Sequence, residues 1–485
     1  MSSPVSSDAD VRSSTSRVSD ANSLRVAGVD EHRRGTMRSM VTLVGEPPDH
    51  SSSGGSSTNA SRRCPLDPGH PKSDHLDLGL PRVSAAERWL ARRMLQTLGN
   101  PPVRMVLWNR EEIPASGPPP VARVLIHDRA ALWKLLFNPA LHFGEAYSTG
   151  RIELEGDLLE FLQAVYRAKS AVRKPAGLLR KAIRRWRRRT RSNTLRGSRA
   201  NIHHHYDIGN DFYKLWLDDQ LVYTCAYFPT PQATLEQAQV AKMELVCRKL
   251  WLRPGETVVE AGCGWGALGL HMAREYGVKV KAFNISHEQI AYARQRARQE
   301  GLSSQVEFIE DDYRAVSGRF DVFVSVGMLE HVGTDHYREL GRVIDGCLSP
   351  SGRGMIHSIG QNEPGELSPW IRRRIFPGAY PPTLREMTKV LEPWGFSVLD
   401  VENLRLHYAE TLRHWLRRFD AAADTVAKMF DGRFVRIWRL YLAGSVAAFA
   451  TGALQLFQLV FARPGVNEIP WTRARLYHGP PSPGG

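Results

Sequence analysis

Within Val258-Val-Glu-Ala-Gly-Cys-Gly-Trp-Gly266, one acid and three glycines alternate at two-residue spacing: Glu260, Gly262, Gly264 and Gly266. Thr257, Val258 and Val259 favour a strand, and Leu268, Leu270, Met272 and Ala273 follow in a helix-like pattern. A strand that turns into a helix over glycines lets a ligand approach bare backbone beside a helix N-terminus. The spacing differs from the Gly-x-Gly-x-x-Gly of dinucleotide sites, and no Lys-Ser/Thr pair follows as in a P-loop. A plain α/β crossing without a ligand, or a site for another nucleotide, would use the same residue types. His203, His204 and His205 suggest metal at first sight. Neighbours in sequence cannot all face one ion in regular structure, and no second cluster has ligand spacing, so no metal site is expected. Cys225 has three readings, a nucleophile, a redox thiol or a buried small residue, and the last is usual for a lone cysteine.

The elements that must position these groups alternate in α/β fashion. Strands are predicted at 256–260, 279–284, 305–309, 320–326 and 352–358, with helices between them. Right-handed crossovers would make a doubly wound, mostly parallel sheet with its ligand at the carboxyl ends of the strands. Those ends hold Gly262 to Gly266, Asn284 to Gln289, Asp311 to Tyr313, Gly327 to His331 and His357 to Ile359. Several are polar where a structural turn could use anything, which argues for a site.

The glycine loop resembles motif I of class I S-adenosylmethionine (SAM) methyltransferases, in which the glycines pass under the amino acid end of SAM and the acid organises the turn. A more specific resemblance rests on eight ordered motifs. They are His205-Tyr-Asp-Ile-Gly-Asn-Asp-Phe212, Tyr223-Thr-Cys-Ala-Tyr-Phe228, Glu260-Ala-Gly-Cys-Gly-Trp-Gly266, Asp312-Tyr-Arg314, Val324-Ser-Val-Gly-Met-Leu-Glu-His-Val-Gly333, His357-Ser-Ile-Gly360, Ile375-Phe-Pro-Gly378 and Tyr408-Ala-Glu-Thr-Leu412. Over about residues 200–465 the chain resembles the cyclopropane-fatty-acyl-phospholipid synthases and their mycolic acid relatives. The resemblance implies a Rossmann-like SAM-dependent methyltransferase core. It implies SAM binding at Tyr223, Thr224, Glu260, Gly262, Gly264, Gly266, Asn284, Gln289, Asp312 and Tyr313. It further implies a bicarbonate ion held by Cys225, Glu330, His357 and Tyr408 with the backbone of Ile359. Asn284 stands where relatives often have Thr, and the second strand lacks the ribose-binding acid of other methyltransferases.

The implied reaction explains these residue types. An isolated cis double bond is a poor nucleophile, so the reactive methyl must be held in line and away from water. Methyl transfer leaves a cation on the chain, which nearby negative charge and aromatic faces can stabilise. A base must then remove a proton from the new methyl so that the ring closes, and on this reading Cys225 lines the pocket. The same start could end in a methylene- or methyl-branched chain. An N- or O-methyltransferase of a small metabolite and a non-enzymatic membrane-associated module are the remaining rivals. The full set Cys225, Glu330, His357 and Tyr408 speaks against the former, and the intact glycine loop against the latter.

The rest of the chain of 485 residues bounds these readings. Its net charge of +15 suggests an anionic partner. Five scattered cysteines without a C-x-x-C pair indicate neither a disulfide framework nor zinc, and the N-terminus lacks a signal-peptide core, so a cytoplasmic protein is expected. Residues 1–80 are rich in Ser, Gly, Asp and Arg and read as a disordered tail. About 81–170 form a small α/β accessory domain, and 466–485 a C-terminal tail. Residues 171–200 are basic, and Leu179, Ile183 and Trp186 form an apolar stripe among Arg180, Arg184, Arg185, Arg187 and Arg188. That suits a helix lying on an anionic bilayer, and no nucleic-acid-binding module accompanies it. The partners expected are therefore unsaturated phospholipid acyl chains at an anionic membrane surface, at the inner face of the membrane, without nucleic acid. The family also suggests a homodimer. Leu440 to Ala462 carries no charge, but its glycines and glutamines favour a buried helix followed by a closing strand over a membrane span.

Overall fold

The computed structural model describes residues 81–113, 119–171 and 208–477. The N-terminal tail, most of the basic linker with its arginines, and the His203–His205 cluster lie outside the described residues, as do 478–485 of the C-terminal tail.

The five predicted strands are present as β5 (Thr257–Ala261), β6 (Lys279–Asn284), β7 (Val306–Glu310), β8 (Phe320–Val326) and β9 (Leu348–Gly360). With β10 (Ser397–Asn403) and β11 (Gln455–Ala462) they form one sheet in the order β10-β11-β9-β8-β5-β6-β7. Strands β9, β8, β5, β6 and β7 pair in parallel, while β11 runs antiparallel between β9 and β10. Strand β5 sits where the chain first goes one way to β6 and β7 and later the other way to β8. That switch opens a crevice at the carboxyl ends of β5 and β8. The glycine loop therefore lands in the one place where neighbouring crossovers leave the sheet on opposite faces.

The uncharged segment resolves into the end of a helix, Gly432–Ala450, followed by β11. All eight residues of β11 are buried, because both of its faces are covered and both of its edges are paired. Among the described residues no helix is long and apolar enough to cross a membrane.

Helices α1 (Ala85–Thr97), α2 (Arg129–Phe137), α3 (Pro139–Ser148) and α4 (Leu158–Ala171) accompany a second sheet. Its strands are β1 (Val103–Val106), β2 (Glu112–Ile113), β3 (Ala122–Ile126) and β4 (Ile152–Gly156), in the order β2-β1-β3-β4. Ser84 and Glu87 close a reciprocal capping box at the start of α1. This smaller layer is pinned to the larger one through α3. Arg374 makes a two-pronged bond to Glu145 at 2.8 and 2.6 Å, and Arg436 Nε donates to the Tyr147 carbonyl at 2.6 Å. Gly144 lets α3 come close, since a Cβ there would lie 2.5 Å from the indole nitrogen of Trp370. Later helices of the larger layer are α5 (Leu235–Lys249), α6 (Ala267–Tyr276), α7 (His287–Gln299), α8 (Tyr337–Cys347), α9 (Arg405–Ala421) and α10 (Gly432–Ala450).

Candidate active site

A cavity of about 1030 Å³ opens at the carboxyl ends of β5, β6, β8 and β9. Of the fifteen residues expected at the site, fourteen line it: Tyr223, Thr224, Cys225, Glu260, Gly262, Gly264, Asn284, Gln289, Asp312, Tyr313, Glu330, His357, Ile359 and Tyr408. Gly266 does not. It caps α6 with φ +84°, and a Cβ there would meet the Phe308 ring at 2.6 Å and Ala293 at 2.8 Å. Its glycine lets α6 pack, whereas Gly264, with φ +55° and open space where a Cβ would stand, leaves room for a ligand.

The loop is held by its neighbours. The N–H groups of Gly262 and Cys263 both donate to the Phe283 carbonyl, at 2.9 and 3.1 Å. Asn284 Nδ2 donates to Gln289 Oε1 at 2.7 Å and to the Gly264 carbonyl at 3.3 Å, joining the end of β6 to the loop. This amide pair occupies the position where the second strand lacks an acid. Asp312 caps the short turn Tyr313–Ala315 and is bound by Arg314 Nη1 at 3.1 and 3.2 Å.

Glu260 is buried, and burial pushes its carboxyl up to about 7 against the opposing pull of Lys242 and the Gly269 N–H. Lys242, on α5, was not singled out in the sequence. It is fully buried, its ammonium falls to about 8 through burial, and its Nζ donates to Thr224 Oγ1 at 3.0 Å. Lysine is so seldom buried that no periodicity argument would place it here. Gln239, one turn earlier, donates to the carbonyls of Val222 at 3.2 Å and Thr224 at 2.9 Å. Together they hold the Tyr223–Cys225 stretch against the cavity. Replacing Lys242 by methionine keeps the bulk and removes the charge. We expect KM for SAM to rise about tenfold, equivalent to ~1.4 kcal/mol. Unchanged KM in steady-state assays would refute that role.

The same cavity is lined by Glu330, His357 and Tyr408. Glu330 Oε1 accepts from the Ile359 N–H at 2.6 Å, while Oε2 is buried without a hydrogen-bond partner among the described residues. Ile359, expected as an anion donor, therefore has its N–H on Glu330 in this structure. Burial pushes the Glu330 carboxyl up to about 7. His357 is held down to about 3 by burial and by the positive charges of Lys242 and Lys249. Burial raises the Cys225 thiol far above neutral pH, and its Sγ donates to the Ala226 carbonyl at 3.1 Å. Such a group is no thiolate nucleophile. Tyr408 packs on Phe449 with ring centres 4.6 Å apart, and Tyr223 meets Trp415 at 5.3 Å and shares a 2.8 Å hydroxyl contact with Tyr441. Aromatic surface thus continues from the polar end into an apolar channel. Phe143, Gly144, Leu162 and Tyr166 of the smaller layer complete its wall, a contribution the sequence did not reveal.

A family profile described as mycolic acid cyclopropane synthetase matches residues 193–459, and one for a domain of unknown function matches 90–176. A probable fatty acid methyltransferase of Pseudomonas putida is 36% identical over 392 residues, covering 78% of this chain and 96% of the relative. The cyclopropane-fatty-acyl-phospholipid synthase of Escherichia coli K12 is 40% identical over 266 residues, 55% of this chain and 68% of that protein. Among solved structures, a cyclopropane synthase of Mycobacterium tuberculosis superimposes with a TM-score of 0.52 at 28% identity, covering 55% of this chain and 98% of its own. A mycolic acid cyclopropane synthase solved with S-adenosylhomocysteine and CTAB matches equally well, with a TM-score of 0.52 and 28% identity over the same shares. The chain belongs to the mycolic acid cyclopropane synthetase family and is a SAM-dependent methyltransferase of the cyclopropane synthase type.

Proposed function

We propose that this enzyme converts the cis double bond of unsaturated acyl chains of membrane phospholipids into a cyclopropane ring, with SAM as methyl donor and a bound bicarbonate as base. The observation that carries the reading is that the glycine loop and the group Cys225, Glu330, His357 and Tyr408 line one cavity, which runs on into an apolar channel. Its volume suits a nucleoside donor with part of an acyl chain.

Gly262 and Gly264 would lie under the amino acid end of SAM, with Asn284 and Gln289 toward the ribose and Asp312 and Tyr313 beside the base. Uncharged amides can recognise a ribose, since a hydroxyl both donates and accepts. The rings of Tyr408, Phe449 and Tyr223 line the cavity, exclude water and offer π faces to a cation developing on the acyl chain, with Trp415 packed behind Tyr223.

The anion fits this wall. Glu330 Oε2, a buried acceptor without a hydrogen-bond partner among the described residues, would take the hydroxyl hydrogen of bicarbonate. His357 and Tyr408 line the same space with ring N–H and phenol groups able to donate. When bound, bicarbonate would supply the base, with the Glu330 carboxylate orienting it through Oε2. His357 is too weakly basic to serve in its place.

The test is mass spectrometry of lipid fatty acids after expression in a host lacking such an enzyme. Ring formation adds about 14 mass units to unsaturated chains, and the product resists mild hydrogenation, which a methylene branch does not. Unaltered phospholipid chains would end the reading. Turnover that is indifferent to removal of bicarbonate would end the anion assignment alone.

The charge of +15 and the arginines of 171–200 support a peripheral position on the anionic inner face of the membrane. Neutralising Arg184, Arg185, Arg187 and Arg188 together is expected to weaken binding to anionic vesicles in a salt-sensitive way, by up to ~1 kcal/mol per charge. Equal sedimentation of both proteins with vesicles at low salt would contradict it.

A further inference from the structure

Behind His357 a row of polar side chains runs from β9 through β11 to the edge strand β10. Register places Glu402 of β10 opposite Gln458 of β11, and Gln458 opposite His357 of β9. Gln458 Nε2 lies 3.0 Å from His357 Nδ1. Lys249, at the end of α5, donates to Gln458 Oε1 at 2.7 Å and also pairs with the Glu402 carboxylate. His357, Gln458 and Lys249 are all almost wholly buried, and only Glu402 reaches toward solvent.

The lysine decides which way the glutamine faces. An ammonium has three donors and no acceptor, so the Gln458 oxygen must point at Lys249. The amide NH₂ is then turned to His357, and Nδ1 must accept. A neutral imidazole whose Nδ1 accepts carries its proton on Nε2. The flipped amide would set NH₂ against NH₃⁺ in a place water does not reach, losing a charge-assisted bond and adding a repulsion.

We propose that Lys249 and Gln458 are positioning residues that hold His357 in the Nε2–H tautomer, so that it presents a hydrogen-bond donor to the cavity and is not itself the base. Glu402 balances the lysine charge. The chemical consequence rests on the anion reading above: a donor at Nε2 would hold bicarbonate, whereas a lone pair there would repel it. The tautomer itself follows from the geometry alone.

The experiment uses the full chain labelled with ¹⁵N in its histidine rings, with the His357 signals identified by their loss in His357→Gln. In the wild type we expect Nε2 to resonate as a protonated, pyrrole-type nitrogen and Nδ1 as a pyridine-type one. Gln458→Glu places a carboxylate against Nδ1, so the proton should move there. The kcat for ring formation should then fall at least about a hundredfold, as when a catalytic histidine is held in the wrong tautomer, with KM for SAM unchanged. Lys249→Met frees the amide to turn and should give a mixture of tautomers with a smaller loss in kcat. A proton on Nδ1 in the wild type, or one tautomer common to all three proteins, would overturn the proposal. The wild-type spectrum decides even where a variant folds poorly. Nε2–H in an enzyme whose turnover ignores bicarbonate would uphold the tautomer and remove the anion.

Discussion

Glu330→Gln is expected to lower kcat for ring formation by about 10²- to 10⁴-fold, the usual worth of general acid–base assistance, while SAM still binds. The change is nearly isosteric, so its effect lies in which atom faces the cavity. The Ile359 N–H at 2.6 Å requires an acceptor at the Oε1 position. Glutamine must satisfy it with its only oxygen, and its NH₂ then stands where the unpartnered Oε2 was. A donor replaces the acceptor that would receive the bicarbonate hydroxyl. The wild type should show the matching pH dependence. Burial raises the Glu330 carboxyl to about 7, so the carboxylate form is lost as pH falls through 7. If that form is required, kcat should be near its plateau at pH 8 and about tenfold lower at pH 6. Calorimetry with SAM and single-turnover assays across that range test both statements. Normal turnover in the variant would show that Glu330 serves only to hold Ile359.

Gly266→Ala is the change expected to cost most in stability. Its φ of +84° disfavours any side chain by about 1–2 kcal/mol. The new methyl would also press on the Phe308 ring at 2.6 Å and Ala293 at 2.8 Å, adding about 1–3 kcal/mol of overpacking. Together they approach a large part of a typical domain's margin of about 5–15 kcal/mol. Gly264→Ala, two residues away, meets nothing within 4 Å and should incur only the backbone term. Its methyl would instead enter the ligand space. Urea unfolding and SAM titration on the two variants should therefore separate, with the larger loss of stability at 266 and the larger loss of affinity at 264 in proportion to stability. Equal effects on both measurements would mean that the loop acts as one unit.

The same contrast bears on how a glycine motif is read. Spacing showed that Gly262, Gly264 and Gly266 belong to one turn, and resemblance gave all three to SAM. Packing divides them, because Gly266 faces Phe308 of β7 and Ala293 of α7 and not the cavity. Ile359 is a second case. Its position at the end of β9 was legible, but the partner of its N–H depends on where the helix Leu329–Val332 carries Glu330.

By itself the sequence determined the five parallel strands, the glycine turn after the first of them, and the helix and strand that end the core. It could do so because hydrophobic period, β-branched runs and glycine spacing are local properties. The eight motifs also pointed to the family and, with Asn284 and Gln289, to fourteen of the residues that line the cavity. Tertiary structure alone decided that Lys242, Lys249 and Gln458 belong behind the site. Two lysines on α5 read as solvent-facing, and Gln458 has no visible partner, until β9, β11 and β10 are aligned beside that helix. Only then do Glu402, Gln458 and His357 fall in one row, with Lys249 reaching it from α5. It decided as well that the smaller layer walls the channel, since Gly144 declares its purpose only when Trp370 is against it. Burial and charge pairing are sums over distant neighbours, and no window of the chain contains them.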